Sequence, residues 1–211
     1  MKHSGILIVV SGFSGAGKGT LMNRLVEEYD NYALSISATT RAPRTGEQDG
    51  REYFFLDKKE FEQRIEEGGF IEYACYLDNY YGTPKDYVKK QLEAGKNVVL
   101  EIEIQGAMKI KKQFPEALLL FVMPPDVAEL ERRLNGRGTE TPEVVAKRLK
   151  RASEEAEGIE EYDYILINDD LETCVRQLNE IVEAACNAPC RNEEFIENIR
   201  AELNVLAKGE K

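Results

Sequence analysis

Histidine is nearly absent: His3 is the single one in 211 residues, and it precedes the first apolar run. Nucleophile activation by histidine is therefore excluded. Positive charge is also in deficit, with 28 Lys and Arg against 39 Asp and Glu and a formal net charge of −11. That balance excludes a general nucleic-acid or membrane-surface binder, and any basic cluster needs a local explanation. No apolar run approaches membrane-spanning length, and the five apolar residues at 6–10, although preceded by Lys2, are too few for a secretion signal. Cys75, Cys174, Cys186 and Cys190 follow neither a disulfide framework nor a zinc-ribbon spacing, so a reducing, cytoplasmic setting is expected. Cys186 and Cys190 would share a helix face, but Pro189 favours a turn over a metal or redox pair. Internal repeats and low-complexity tracts are missing as well.

What is present begins with Ser11, Gly12, Phe13, Ser14, Gly15, Ala16, Gly17, Lys18, Gly19 and Thr20, placed between an apolar run and an amphipathic segment. Glycines at this spacing let the backbone curl around an anion, with its N–H groups and the positive end of the next helix turned inward. Lys18 would reach the β- and γ-phosphates of a nucleotide. The residue after the lysine is Gly19, where a metal-binding hydroxyl is usual, and the first hydroxyl comes at Thr20.

Short apolar runs alternate with helical periodicity, the pattern of an α/β fold whose parallel sheet is flanked by helices on both faces. Five core strands are predicted, at 6–10, 33–37, 98–104, 118–123 and 164–167, and helices at 18–29, 58–67, 84–94, 105–113, 126–135, 142–157, 170–185 and 192–207. With 42% hydrophobic content the chain suffices for one domain. Its core is assigned to 1–37, 97–133 and 158–190. The stretch 38–96 is too long for a simple crossover and is read as an inserted small mixed-β module, with β-like pieces at 52–56 and 70–73. Residues 134–157, with glycines on both sides of Arg137, are read as a helical lid, and 191–211 as an appended helical tail.

The insert opens with Ser37, Thr39, Thr40, Arg41, Pro43, Arg44 and Glu47, which gathers positive charge beside hydroxyls. Two guanidinium forks three residues apart suit a dianionic phosphate; the lesser alternative is that Arg41 and Arg44 are loop charges paired with Glu47 or Asp49. Glu72 stands in the otherwise apolar piece 70–73, where a lone buried charge is costly unless a ligand or partner supplies donors. Glu101 and Glu103 alternate on one face of the predicted strand 98–104. Such a pair is unfavourable unless a metal, Lys18 or ligand donors sit between them; a solvated strand edge is the other reading.

These motifs, in this order, resemble those of the guanylate kinases from about residue 5 to about residue 170. The resemblance rests on the phosphate loop, on 37–44 with Gly46 and Glu47, on Phe70-Ile71-Glu72-Tyr73, on Asn79-Tyr80-Tyr81-Gly82-Thr83 and on Leu100-Glu101-Ile102-Glu103-Ile104-Gln105-Gly106. Gly136-Arg137-Gly138-Thr139 and Asn168-Asp169-Asp170 complete it. Phe13 stands where that family usually has proline, and Glu101 and Glu103 where aspartate is frequent. The resemblance implies ATP-dependent phosphorylation of GMP to GDP, with Mg²⁺ carried mainly by ATP and with Thr20 and Glu101 as possible metal contacts. The implied partners are the two nucleotides, with no nucleic acid or membrane and a monomer or homodimer.

By the same resemblance Ser37, Arg41, Arg44, Tyr53 and Tyr81 would hold the GMP phosphate, although the tyrosine rings could instead serve as packing in a small β module. Glu72 would accept from N1–H and the N2 amine of guanine, which adenine cannot offer. Thr83 and Ser37 could donate to O6, with Glu103 facing the same pocket. Arg137 and Arg148 would close on the transferring phosphoryl group. Arg132, Arg133 and Arg151 have no such warrant and could be solvated or paired with Glu129, Glu154 or Glu155. Asn168 would face the adenine or else cap the following helix. No general base is needed, because a nucleotide phosphate is already largely dianionic. Two alternatives share these features in part: another nucleotide or sugar-phosphate kinase, which would not need Glu72, and a phosphopeptide-binding module using Arg41 and Arg44, which typically has a degraded phosphate loop.

Overall fold

The computed structural model describes residues 5–76, 78–136 and 142–207. Its centre is a parallel sheet of five strands: β1 (Leu7–Gly12), β2 (Tyr32–Leu34), β7 (Asn97–Glu101), β8 (Leu118–Met123) and β9 (Tyr164–Ile167), in the order β2-β7-β1-β8-β9. The middle strand is buried on both faces because its alternate residues serve different cores. Ile8 and Val10 pack with Leu21, Met22, Leu25 and Leu178, while Leu7 and Val9 pack with Leu100, Ala107, Ile110 and Leu119. Each such aliphatic side chain contributes roughly 1.5–3 kcal/mol on burial.

The covering helices are α1 (Lys18–Glu28), α3 (Lys85–Glu93), α4 (Ile104–Gln113), α5 (Val127–Asn135) and α7 (Leu171–Cys186), and α2 (Lys58–Glu66) lies within the insert. Helix α6 (Pro142–Ala156) packs against α5 through Leu130, Leu134, Val145 and Ala152. Helix α8 (Glu193–Ala207) buries none of its residues. The four cysteines are free. Pro189 opens a short 3₁₀ turn between Cys186 and α8, the turn expected from the sequence.

The insert carries a second sheet, made of β3 (Ala38–Thr39), β4 (Phe54–Phe55), β5 (Phe70–Tyr76) and β6 (Asn79–Pro84), in the order β4-β3-β6-β5. Strands β4 and β5 fall on the two predicted pieces. Strands β3 and β6 were not predicted: two residues leave no periodicity to read, and a segment with Gly82 and Pro84 reads as a turn. The fully buried Phe61 of α2, stacked between Phe70 and Tyr80 at 4.3 and 5.2 Å, holds helix and sheet together.

One predicted strand needs correction. The run 98–104 pairs only as far as Glu101, and after one further amide bond from Ile102 to the Val10 carbonyl the chain enters α4 with Glu103 as its N-cap. Glu101 and Glu103 therefore do not alternate along one strand. They occupy a strand end and a helix cap, because a strand covered by a crossover helix must turn at the rim of the sheet. The second strand is likewise shorter than predicted, ending at Leu34.

Candidate functional site

The turn from β1 into α1 is set by backbone geometry. Gly17, the N-cap of α1, has φ 89°, and a Cβ there would lie 2.6 Å from the Asn168 amide nitrogen. At Gly12, with φ 151°, a Cβ would lie 2.1 Å from the Val122 carbonyl oxygen. Only glycine fits such close approaches. The result is a loop whose first-turn amides of α1 remain available to an anion. Lys18 arches back over it, its Nζ donating to the carbonyls of Gly12 at 2.8 Å and Phe13 at 3.3 Å.

Three neighbours brace this loop. Phe13 packs edge-on against Phe121 at 5.1 Å and also joins the small core between α5 and α6, so a large apolar residue fills the place at which proline is usual. Asn168 at the end of β9 donates its amide to the Ala16 carbonyl at 2.8 Å and is 6% exposed. It does not cap α7: that task falls to Asp170, whose carboxylate accepts from the Thr173 amide. Arg133 reaches across from α5 to the carbonyls of Asn168 at 2.8 Å and Ala16 at 3.3 Å, while Glu129 holds its Nε at 2.5 Å. Sequence reasoning foresaw only the pairing with Glu129, because i,i+4 spacing is visible in a sequence and a contact to a distant carbonyl is not.

One arginine of α6 that the resemblance singled out reaches the loop. Arg148 donates from Nη1 to the Ser14 hydroxyl at 2.6 Å, directly over the loop. Arg137 lies outside the described residues. Arg151 pairs with Glu155 at 3.0 Å, one of the partners expected from the sequence, and also with Glu103 at 2.7 Å, which was not expected. Glu101, at the end of β7, lies 3.9 Å from Lys18.

A cleft of about 1260 Å³ joins these groups to the insert. Gly12, Ser14, Lys18, Glu101, Glu103, Arg148 and Arg151 line it together with Ser37, Tyr53 and Tyr76, whereas Arg41, Arg44, Glu72, Tyr81 and Thr83 are not among its lining residues. Arg41, near the insert's start, is gripped by Glu47 through two hydrogen bonds of 2.9 and 3.0 Å. The loop-pair reading of Arg41 thus holds in this structure, and the bidentate grip fixes the guanidinium plane against Tyr53, whose ring centre is 5.4 Å from Arg41 Cζ. Hydrogen bonding from Arg41, then from the Arg44 amide, holds the Glu47 carboxyl below its usual range. Tyr81 meets Tyr53 edge-on at 6.1 Å, the ring packing that the sequence left open. Arg44 is exposed.

Glu72 on β5 is half-buried, and its Oε1 accepts from the hydroxyl of Thr83 on β6 at 2.9 Å. Burial raises the Glu72 carboxyl above its usual range, opposed by the Thr83 hydrogen bond and by the charge of Lys109. Thr83, itself fully buried, is thus already committed to orienting the carboxylate.

For a divalent ion the donors are few. Among the described residues no group of three or more His, Cys, Asp or Glu side chains could hold a metal. Glu101 lies beside the loop, whereas Thr20 is exposed on α1 and is not part of the cleft lining. A side chain at Gly19 would meet open space, so nothing steric forbids a hydroxyl there. This donor set fits an ion held mainly by the phosphates it accompanies. Among the described residues no helix is long and apolar enough to cross a membrane.

Comparison with known proteins agrees with this geometry. The family model for guanylate kinase matches residues 4–185. A guanylate kinase of Caldanaerobacter subterraneus is 48% identical over 96% of this chain and 98% of its own length. One of Clostridioides difficile is also 48% identical, over 94% and 98%. The crystal structure of guanylate kinase from Anaplasma phagocytophilum superposes with a TM-score of 0.69 at 34% identity, covering 90% of each chain. The chain belongs to the guanylate kinase family.

Proposed function

We propose that this protein transfers the γ-phosphoryl group of ATP to GMP, giving ADP and GDP, as a cytoplasmic enzyme of purine nucleotide metabolism and GMP recycling. The observation that carries the reading is the shared cleft: the phosphate loop with Lys18 and Arg148 lines one part of it, and Ser37 and Tyr53 of the insert line another. A donor triphosphate and an acceptor monophosphate held there would face each other in line, which is the main task of a phosphoryl-transfer catalyst. In domain terms 38–96 is the GMP module, 134–157 the lid and 191–211 a tail outside the catalytic unit.

On the donor side, the loop from Gly12 to Thr20 cradles the β- and γ-phosphates, and Lys18 exchanges its carbonyl partners for phosphate oxygens. Arg148, together with Arg137, adds positive charge as negative charge shifts onto the leaving oxygen. Asn168 bounds the adenine side and, with Arg133, fixes the loop. Mg²⁺ bound to ATP would supply further charge neutralisation, with Glu101 as the nearest carboxylate.

On the acceptor side, Arg41, Arg44, Tyr53, Tyr81 and Ser37 hold the GMP phosphate. Glu72, oriented by Thr83, takes the N1–H and amine protons of guanine, and Glu103 lies on the same side. Adenine would leave the Glu72 carboxylate partly desolvated with Thr83 as its one described side-chain donor, a large penalty in a half-buried site. The test is coupled ADP release with ATP, Mg²⁺ and GMP, AMP, CMP or UMP in parallel, with Lys18→Ala as control. A signal with GMP alone that vanishes in the control is expected. Turnover of a sugar phosphate instead, or ATP binding without turnover of any nucleotide, would overturn the reading in favour of the two alternatives.

A further inference from the structure

Phe13 stands where proline is usual in the family, and its backbone and side chain serve different parts of the molecule. The backbone belongs to the phosphate loop: the Phe13 carbonyl accepts from the Ala16 amide at 3.0 Å and from Lys18 Nζ at 3.3 Å. The half-buried ring lies edge-on to Phe121 of β8 at 5.1 Å and packs on two separate apolar cores. One is the core that holds Val10, Leu21 and Val122. The other is the small core of Leu130 and Leu134 from α5 with Val145 and Ala152 from α6. Among the described residues Phe13 alone is shared by the two.

Contact between loop and helices is close on the next two residues as well. A Cβ on Gly15 would lie 2.9 Å from Leu134 Cδ2, so the loop is seated directly on the small core. Ser14 accepts from Arg148 at 2.6 Å, and Arg148 precedes Leu149, which packs on that same core. Two successive loop residues are thus tied to α6 side by side, Phe13 through apolar packing and Ser14 through a hydrogen bond. A single hydrogen bond between side chains contributes too little to fix a helix, whereas dense packing transmits any displacement of it. Val145, Leu149 and Ala152 share one face of α6 by their spacing, so the helix cannot turn about its axis without taking this packing apart.

We propose, resting on the donor-side reading given above, that Phe13 is a positioning residue for phosphoryl transfer: its ring ties α6 to the phosphate loop and so sets how close Arg148 stands to the transferring group. Electrostatic stabilisation of a transition state depends on donors held in place beforehand, and a misplacement of about 1 Å can cost about 100-fold. The ring brings neither charge nor a conventional hydrogen bond to the phosphates. Its effect on the rate therefore passes through Arg148.

A double-mutant cycle on kcat tests this in the full chain, with ATP, Mg²⁺ and GMP at saturation. The proteins are wild type, Phe13→Ala, Arg148→Ala and the double variant, with Phe13→Leu as the conservative replacement and Tm recorded for each. Phe13→Ala is expected to lower kcat about tenfold while the KM for GMP stays within about twofold. In the Arg148→Ala background the same change should cost less than about twofold more. Phe13→Leu, which keeps apolar bulk, should recover most of the rate. A lowered Tm with kcat unchanged would reduce Phe13 to packing and overturn the proposal. The same tenfold loss in the Arg148→Ala background would show the ring acting on the loop itself and overturn it too. If the alanine variant does not fold, Phe13→Val takes its place in the cycle and the same two outcomes decide. A wild type that does not turn over GMP would overturn the functional reading and this inference with it, whereas a GMP-active wild type with additive losses would reject this inference alone.

Discussion

The two halves of the cleft are built by different means. The donor half is backbone: a glycine loop of fixed dihedral angles, the first turn of α1, and carbonyls clamped by Asn168 and Arg133. The insert beside it, proposed above as the acceptor side, is side chain on side chain, with Arg41 held by Glu47 and Glu72 held by Thr83, on a four-stranded sheet whose own aromatic core centres on Phe61. A backbone site tolerates few substitutions and binds any nucleoside triphosphate phosphate chain. A site of paired side chains carries base specificity, and each pair is a separate place at which that specificity can be lost.

Removing the charge at the centre of the donor half should have the largest effect. Lys18→Ala is expected to cost about 3–4 kcal/mol of transition-state stabilisation, a loss of about 10²- to 10³-fold in kcat. A residual activity within tenfold of wild type would show that the loop amides and Arg148 suffice. Next, Glu72→Gln should cost roughly 3 kcal/mol in kcat/KM for GMP, about 100-fold, with the KM for ATP nearly unchanged. That variant separates the two halves, because only the acceptor side should respond.

Gly17→Ala sharpens the contrast from the structural side. Its left-handed dihedral and the 2.6 Å approach to Asn168 should destabilise the fold by about 2 kcal/mol, read as a fall in Tm of several degrees. Thr83→Val should be milder, at about 1 kcal/mol, raising the KM for GMP about fivefold and pushing the Glu72 carboxyl further up. The smallest effect is one of pH. Burial raises Glu72, so on acidification it protonates before an ordinary glutamate and loses an acceptor. The KM for GMP should therefore begin to rise above the usual carboxylate range, and Glu72→Gln should flatten that rise. Glu47 shifts the other way: its lowered pKa contributes stability that is present above the unfolded value and is lost only as the pH falls through the folded one.

The same division explains what could be read in the sequence. The donor half was legible because a phosphate loop is a spacing of glycines and a lysine between a buried strand and a helix. Strands β3 and β6 were not legible, since short strands in a small sheet are specified by their partners and carry little periodicity of their own. The alternation inferred for Glu101 and Glu103 failed for a related reason. A strand end and a helix cap two residues apart look like one strand until the crossover is placed. For Arg133 and Arg151 the pairs with Glu129 and Glu155 were among the expected ones, whereas the contacts to Ala16, Asn168 and Glu103 were not, because contacts over 30 residues or more leave no local pattern. The Glu47 grip on Arg41 was foreseen only as an alternative to phosphate binding, and it is the alternative that the structure shows.

The central claim is that the loop supplies the chemistry and Glu72 selects the acceptor. It is tested most directly by kcat/KM for GMP and AMP, together with the KM for ATP, in wild type and Glu72→Gln. The predicted result is a wild type that strongly favours GMP and a variant that loses about 100-fold with GMP while its KM for ATP stays within about threefold. Parallel losses in the GMP and ATP parameters, or a wild type that uses AMP as readily as GMP, would contradict it.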